Sequence, residues 1–267
     1  MERPDWVPDG IDVTRPSAAR MYDYYLGGSH NFEADREAAA KAIEMWPDLP
    51  KIMQANRAFM RRAVRHAVEL GVTQFLDIGS GIPTFGNVHE VARAADPQSR
   101  VVYVDRDPIA VAHSQALLEG DTRTGVIEAD LRDGAALLEH PGVTGVLDLE
   151  RPVALLLVAV LHFVQDADEP WDAVAELRGR LAPGSLLILS HATPEGRADM
   201  AGPHQDLYRR TGNPMSMRSR SEVTRFFEGF EMLDPGLVYM AEWRPDPGCR
   251  LEDPTRFSGF AGVGRKP

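Results

Sequence analysis

Five short apolar runs punctuate the middle of the chain, at residues 74–78, 100–104, 125–129, 153–159 and 186–190. Each is β-branched or aliphatic and bounded by turn residues, so each reads as a buried strand. Between them lie stretches of helical character, near 87–95, from Pro108 to about Leu118, and from Pro170 to Leu181, the last closed by Ala182-Pro183-Gly184. Pro108 suits the first turn of its helix. The alternation predicts a parallel sheet with helices on both faces.

Ahead of the first run the pattern is helical. Residues 1–16 are Pro- and Asp-rich and read as irregular, and a helix starts at Ala18 and breaks at Gly27-Gly28. Glu33 to Trp46 is Ala- and Glu-rich and stops before Pro47-Asp48-Leu49-Pro50. Between 51 and 70, Ile52, Ala55, Phe59, Ala63, Ala67 and Leu70 form an i+3/i+4 stripe, followed by Gly71 as a C-terminal signal. These helices carry too little core to fold alone. Beyond the fifth run, Ser219-Arg220-Ser221-Glu222 reads as a capping box opening a helix from Val223 to Phe230. Then 232–243 and 256–263 are two extended segments, most simply a hairpin at the sheet edge.

Composition narrows the partners. A formal net charge of −11 and a pI near 5.2 describe a surface that repels nucleic acid and anionic membranes. The basic cluster Arg57, Arg61, Arg62 and Arg65 reads as the solvated face of its helix. One cysteine, Cys249, excludes an intrachain disulfide and fits a reducing compartment. The longest apolar run, 153–161, is strand-sized, and Met1-Glu2-Arg3-Pro4-Asp5 lacks a signal-peptide core, so a cytoplasmic protein without a membrane span is expected. No zinc or EF-hand motif is present, and no metal is indicated.

The candidate chemistry sits at the strand ends. The first strand runs into Asp77-Ile78-Gly79-Ser80-Gly81, and the second ends at Asp105, 26 residues after Gly79. Glycine turns let backbone approach a ligand, and a carboxylate there can accept from both hydroxyls of a ribose. A dinucleotide site would want G-x-G-x-x-G. Here Thr84 holds the third position, Pro83 intervenes, and no Lys or Arg lies between Asp77 and Asn87. The acid-x-Gly-x-Gly loop instead resembles that of class I S-adenosylmethionine (SAM)-dependent methyltransferases. On that likeness Gly79 and Gly81 border the amino-acid end of SAM, and Asp77 orients the loop or meets the ammonium. Asp105 holds the ribose, Arg106 lies along the adenine, and Asp107 caps the helix before Pro108. Ala129-Asp130-Leu131 resembles the acidic-then-apolar pair that contacts adenine, with a helix N-cap at Asp130 as the alternative. Leu161-His162-Phe163 resembles a segment bordering the methyl group, where His162 is a general base, a contact or a structural histidine. Ser190-His191 occupies a similar rim.

The segment from Pro16 to Phe32, with Ala19-Arg20-Met21-Tyr22-Asp23-Tyr24-Tyr25-Leu26-Gly27-Gly28 at its centre, resembles the "ARMYDYLLGGKDNF" opening of an actinobacterial SAM-dependent methyltransferase family formerly catalogued as a domain of unknown function. Ser29-His30 stands where that family has Lys-Asp or a similar pair. The likeness continues at 34–38, Asn56-Arg57, 75–83, 87–91, 103–108 and 262–266. It implies a single Rossmann-like α/β domain with a mostly parallel seven-stranded sheet and an antiparallel C-terminal hairpin strand. The divisions would be a helical cap over 1–72, a cofactor-binding core over 73–195, and C-terminal helices with an edge hairpin over 196–267. It also implies SAM as cofactor and in-line methyl transfer to an O, N or C atom of a small molecule. Tyr22, Tyr25 and Asn31 suit a lid, since an aromatic face attracts a desolvated sulfonium by about 1–2 kcal/mol. Arg20 and Asp23, three residues apart, read as a surface pair. Two other readings stay open: a SAM-binding regulator or scaffold without catalysis, and a nicotinamide-dependent oxidoreductase.

Overall fold

The chain opens with α1 (Ala18–Tyr25), α2 (Glu33–Met45) and α3 (Leu49–Glu69), each ended by residues that cannot extend it. Gly27 follows α1 and Gly71 follows α3, both at positive φ (80° and 84°). The structure, a computed structural model, describes residues 12–248 and 253–267; Cys249 and the extreme N-terminal stretch 1–11 lie outside the described residues.

The central region then alternates as the apolar pattern predicts: β1 (Gln74–Ile78), α4 (Val88–Ala95), β2 (Arg100–Asp105), α5 (Pro108–Leu117) and β3 (Thr124–Glu128). Two one-turn helices, α6 (Ala135–Leu138) and α7 (Pro141–Thr144), precede β4 (Ala154–Val158), α8 (Pro170–Arg180) and β5 (Leu186–Ala192). The C-terminal part holds α9 (Ala198–Tyr208), α10 (Arg220–Arg225), β6 (Glu231–Met232), β7 (Val238–Tyr239) and β8 (Gly259–Arg265).

One mixed sheet of eight strands runs β3-β2-β1-β4-β5-β8-β6, with β7 also on β8. β1 to β5 are parallel, whereas β8 runs antiparallel to β5 and to both short strands. Alternate residues of each parallel strand feed opposite cores. Phe75, Val101, Ala154, Leu156 and Ile188 pack under the helical cap; Leu76, Val102, Leu155, Leu157 and Leu189 face the other layer. Strand order reverses between β1 and β4, which opens a crevice beyond their carboxyl ends.

Four details differ from the pattern. First, 256–263 is not extended throughout: Arg256 and Phe257 close a 3-10 turn (Pro254–Phe257), and β8 begins only at Gly259. The segment 232–243 is not one strand: the Leu233-Asp234-Pro235-Gly236 turn, closed by the Gly236 N–H on the Leu233 carbonyl (2.8 Å), divides it into β6 and β7. Among the described residues the sheet therefore has eight strands, not seven. α10 stops at Arg225, and the chain turns through Gly229 at φ 79°. α9 was not anticipated because Gly202-Pro203 stands inside it; its burial of Ala201, His204 and Tyr208 outweighs that poor propensity.

Candidate functional site

A cavity opens at the switch point, walled by the chain just after β1, β2, β3 and β4 and roofed by α1 and α3. Gly79, Gly81, Asp77, Asp105, Arg106, Asp130, Leu131 and Tyr22 line it together. The two glycines differ. Gly79 (φ 74°) backs directly onto Val160, whose Cγ2 would lie 2.3 Å from an added Cβ. Gly81 (φ 68°) has nothing within 4 Å of that position, leaving room in front of the turn.

Asp105 organises the loop. Its Oδ2 accepts from the Gly81 N–H (2.7 Å) and its Oδ1 from the Asp107 N–H (2.8 Å). Burial pushes its carboxyl up to about 6 against those two hydrogen bonds. Each oxygen keeps a lone pair for a further donor. Asp107 caps α5 through the Ile109 N–H (2.9 Å) and accepts from the Ser17 hydroxyl with its other oxygen, which ties the cap to the end of β2. Asp130 caps a 3-10 turn through the Arg132 N–H (3.0 Å) and pairs with the Arg132 guanidinium, with Arg106 3.6 Å away. Although burial opposes it, the Arg132 hydrogen bonds hold Asp130 below its ordinary range. Asp77 differs from these acids: among the described residues nothing donates to it. Burial raises it to about 7, with Arg57 opposing and Asp105 adding to the rise.

The cap supplies a hydrogen-bonded chain across the roof. The Ala159 N–H donates to Ser190 Oγ (3.0 Å), Ser190 to Asn56 Oδ1 (2.6 Å), and Asn56 Nδ2 to the Tyr22 hydroxyl (2.9 Å). Ala159 lies at φ 57° immediately after β4. α1, α3, β4 and β5 are thereby locked to one another at the cavity. Asn56, Arg57, Phe163 and Asn213 also line it; of these the sequence points only to Phe163, through the Leu161-His162-Phe163 segment, and to none of the other three as a site residue. Their signal was faint: Asn56-Arg57 belongs to the family-like pattern, yet an arginine on an amphipathic helix reads as solvated.

Other expected residues are elsewhere. Tyr25 is buried with its hydroxyl 3.4 Å from that of Tyr208, and does not line the cavity. Asn31 is turned inward, donating to Asp23 (2.8 Å) and to the Gly28 carbonyl (3.0 Å). Arg20 and Asp23 are not a surface pair. Both are buried, Arg20 bonding Asp35 (2.9 Å) and Asp23 accepting from the His30 N–H (2.9 Å). The reading of Arg57, Arg61, Arg62 and Arg65 as one solvated face also fails: Arg62 is buried on the carbonyls of Trp243 and Met240 (2.8 and 2.9 Å), and Arg57 faces the cavity.

His162 is likewise outside the lining. It packs on Phe163 and His191 with Nδ1 3.5 Å from the Ala192 N–H. Burial, His191 and Arg218 keep it neutral, well below the usual histidine range. His191 is buried too. Its Nε2 accepts from Arg218 (2.9 Å), so Nδ1 carries the proton and donates to the Ala192 carbonyl (2.7 Å). Neither imidazole lines the cavity: His162 packs against Phe163, and His191 is held by Arg218 and stacked on Phe226.

The charges suit one class of ligand. Asp77, Asp105, Asp107 and Asp130 face Arg57 and Arg106 across the lining. Phosphates would meet this excess of carboxylates, whereas SAM brings a sulfonium, an ammonium and one carboxylate. The open front of Gly81 and the unpartnered Asp77 fit that molecule.

Residues 4–267 match the model of a family described as S-adenosyl methyltransferase. A DUF574 family protein from Streptomyces avermitilis is 42% identical, with a TM-score of 0.90 over 96% of this chain and 99% of its own. A protein from Thermobifida fusca with a provisional methyltransferase assignment is 40% identical, with a TM-score of 0.92 over 98% of this chain and 99% of its own. An O-methyltransferase family protein from Burkholderia thailandensis, at 12% identity and TM-score 0.54 over 95% of this chain and 64% of its own, shares the fold. No curated protein matches.

Proposed function

The chain belongs to the S-adenosyl methyltransferase family and is a SAM-dependent methyltransferase, and on that premise we propose that it methylates a small molecule inside the capped cavity. The observation that carries this reading is the roof. Ser17 bonds Asp107, the Ala18 N–H bonds Asn213 Oδ1 (3.0 Å), and the Gly212 N–H bonds the Pro16 carbonyl (3.2 Å), so the cap is fastened on two sides of the opening. A polymer would have to undo these contacts, and a net charge of −11 opposes nucleic acid.

In this reading the carboxyl oxygens of Asp105 hold the ribose diol with their remaining lone pairs. Leu131 packs on the adenine, with Arg106 and Asp130 at its edge. Asp77 faces the ammonium, and Tyr22, fixed by Asn56, stands over the methyl side. The cofactor supplies a methyl group already activated by its sulfonium leaving group. The chain's part is alignment and exclusion of water. No histidine lies among the described residues lining the cavity. The ionisable groups of the lining are instead the carboxylates Asp77, Asp105, Asp107 and Asp130, the arginines Arg57 and Arg106, and Tyr22. No helix among the described residues is long and apolar enough to cross a membrane.

Incubating the protein with methyl-labelled SAM and a cell extract divided by molecular size tests this. Label is expected in the small-molecule fraction; label confined to protein or nucleic acid would sink the small-molecule reading.

A further inference from the structure

Arg57 and Asp77 stand together at the β1 end of the cavity and also share the wall of a smaller cavity behind the Ser80-Gly81 turn. Both have bonding capacity left over. Arg57 spends Nη2 on the carbonyls of Phe85 and Gly86 (3.4 and 3.2 Å) and on Asn87 Oδ1 (3.3 Å). Its Nε is buried without a partner. Among the described residues nothing donates a hydrogen bond to the Asp77 carboxylate, and Arg57 acts on it as a nearby charge. At the opposite end, Arg106 stands beside Asp130. Arg57 is therefore the arginine left facing Asp77.

An acid and a base held near each other, unpaired and partly enclosed, complement a ligand that carries both charges in reverse. An α-amino acid group does so. Its carboxylate, placed among four aspartates, would be repelled without a cation beside it. A guanidinium already pinned through Nη2 loses little freedom on accepting it.

We infer that Arg57 anchors the carboxylate of the cofactor's amino-acid end, opposite Asp77 at its ammonium. This rests on the SAM reading above and adds a residue that selects for the intact amino acid.

The test is a cycle in which the ligand carboxylate and Arg57 are removed separately and together, using SAM and decarboxylated SAM on wild type and Arg57→Met, read by calorimetry. Wild type is expected to prefer SAM by about 10- to 100-fold, the range for a charge-assisted hydrogen bond. Arg57→Met should lose that preference while binding decarboxylated SAM within about twofold of wild type. Equal weakening of both ligands would mean that Arg57 only props the 85–87 loop, and overturns the inference. Should Arg57→Met bind neither ligand, Arg57→Lys decides: it must still prefer SAM, and equal binding overturns the inference. Wild type binding both ligands alike refutes the anchor but leaves SAM in place; wild type binding neither refutes the cofactor reading as well.

Discussion

Buried and without a hydrogen-bond donor, the Asp77 carboxyl sits at about 7, and that value depends on what stands before it. Between its unfolded value near 3.8 and about 7, the native state holds a proton that the unfolded chain has released. Asp77 therefore favours the folded apoprotein at low pH, and this contribution is lost as pH rises through that window, by at most about 1.4 kcal/mol per pH unit. Asp77→Asn should remove this slope, so the mutant gains stability relative to wild type between pH 4 and 7. The same change should weaken SAM at pH 8, where wild type offers a full carboxylate. Urea unfolding across the range and SAM titration at pH 8 check both halves; parallel pH profiles of the two proteins would refute the buried-acid account. That Asp77, Gly79, Gly81 and Asp105 would meet at one cavity was legible from sequence, because a strand end and a glycine turn are local features. Arg57 was not, since its role depends on which side of α3 meets the carboxyl end of β1.

α10 is entered through Arg218, the residue before its Ser219 cap, and this side chain secures the segment that follows β4. Its guanidinium, 2% exposed, donates to the carbonyls of Leu161 (2.9 Å) and Val164 (2.8 Å), to His191 and to Asp166 (2.6 Å). It also lies over Trp171, 5.0 Å from the ring centroid. Arg218→Met would strand two buried carbonyls and a histidine nitrogen, each costing on the order of 1–3 kcal/mol. A loss of about 3 kcal/mol or more in urea is expected, with little rescue in Arg218→Lys, because one ammonium cannot span those acceptors. A loss below about 1 kcal/mol would show that the segment holds itself. The sequence predicted the flanking elements from their caps and periods but left Arg218 anonymous: its partners lie 27 residues away at His191 and more than fifty away at Leu161, Val164 and Asp166. The same distance effect hid α9, whose Gly202-Pro203 reads locally as a break.

Over the whole molecule, buried histidines and buried acids pull stability in opposite directions with pH. His191 and His204 are pushed down to about 3 and 4 by burial, and His162 well below its usual range. Each is neutral when folded and takes up a proton on unfolding below about 6.5, so its contribution is lost as pH falls from there. Asp77 and Asp105, raised to about 7 and 6, oppose this over much of the same window. With His89 and His113 also lowered by burial, the histidines outweigh the two acids, and unfolding near pH 5 should take up protons on balance. Thermal unfolding of the apoprotein from pH 6.5 to 4.5 should show stability falling with pH; a rise would mean that the carboxyls dominate. The sequence by itself determined the alternation of strands and helices, the glycine turn and its two acids, and the acidic surface, because periodicity, turn chemistry and charge are written in neighbouring residues. Tertiary structure alone decided which polar groups meet. It packed His162 against Phe163, turned Asn31 inward to Asp23, divided the last hairpin strand over β8, and left Arg57 and Asp77 facing one cavity. Those outcomes depend on which helix face packs on which strand end, and burial and close approach between distant segments arise only once the chain is folded.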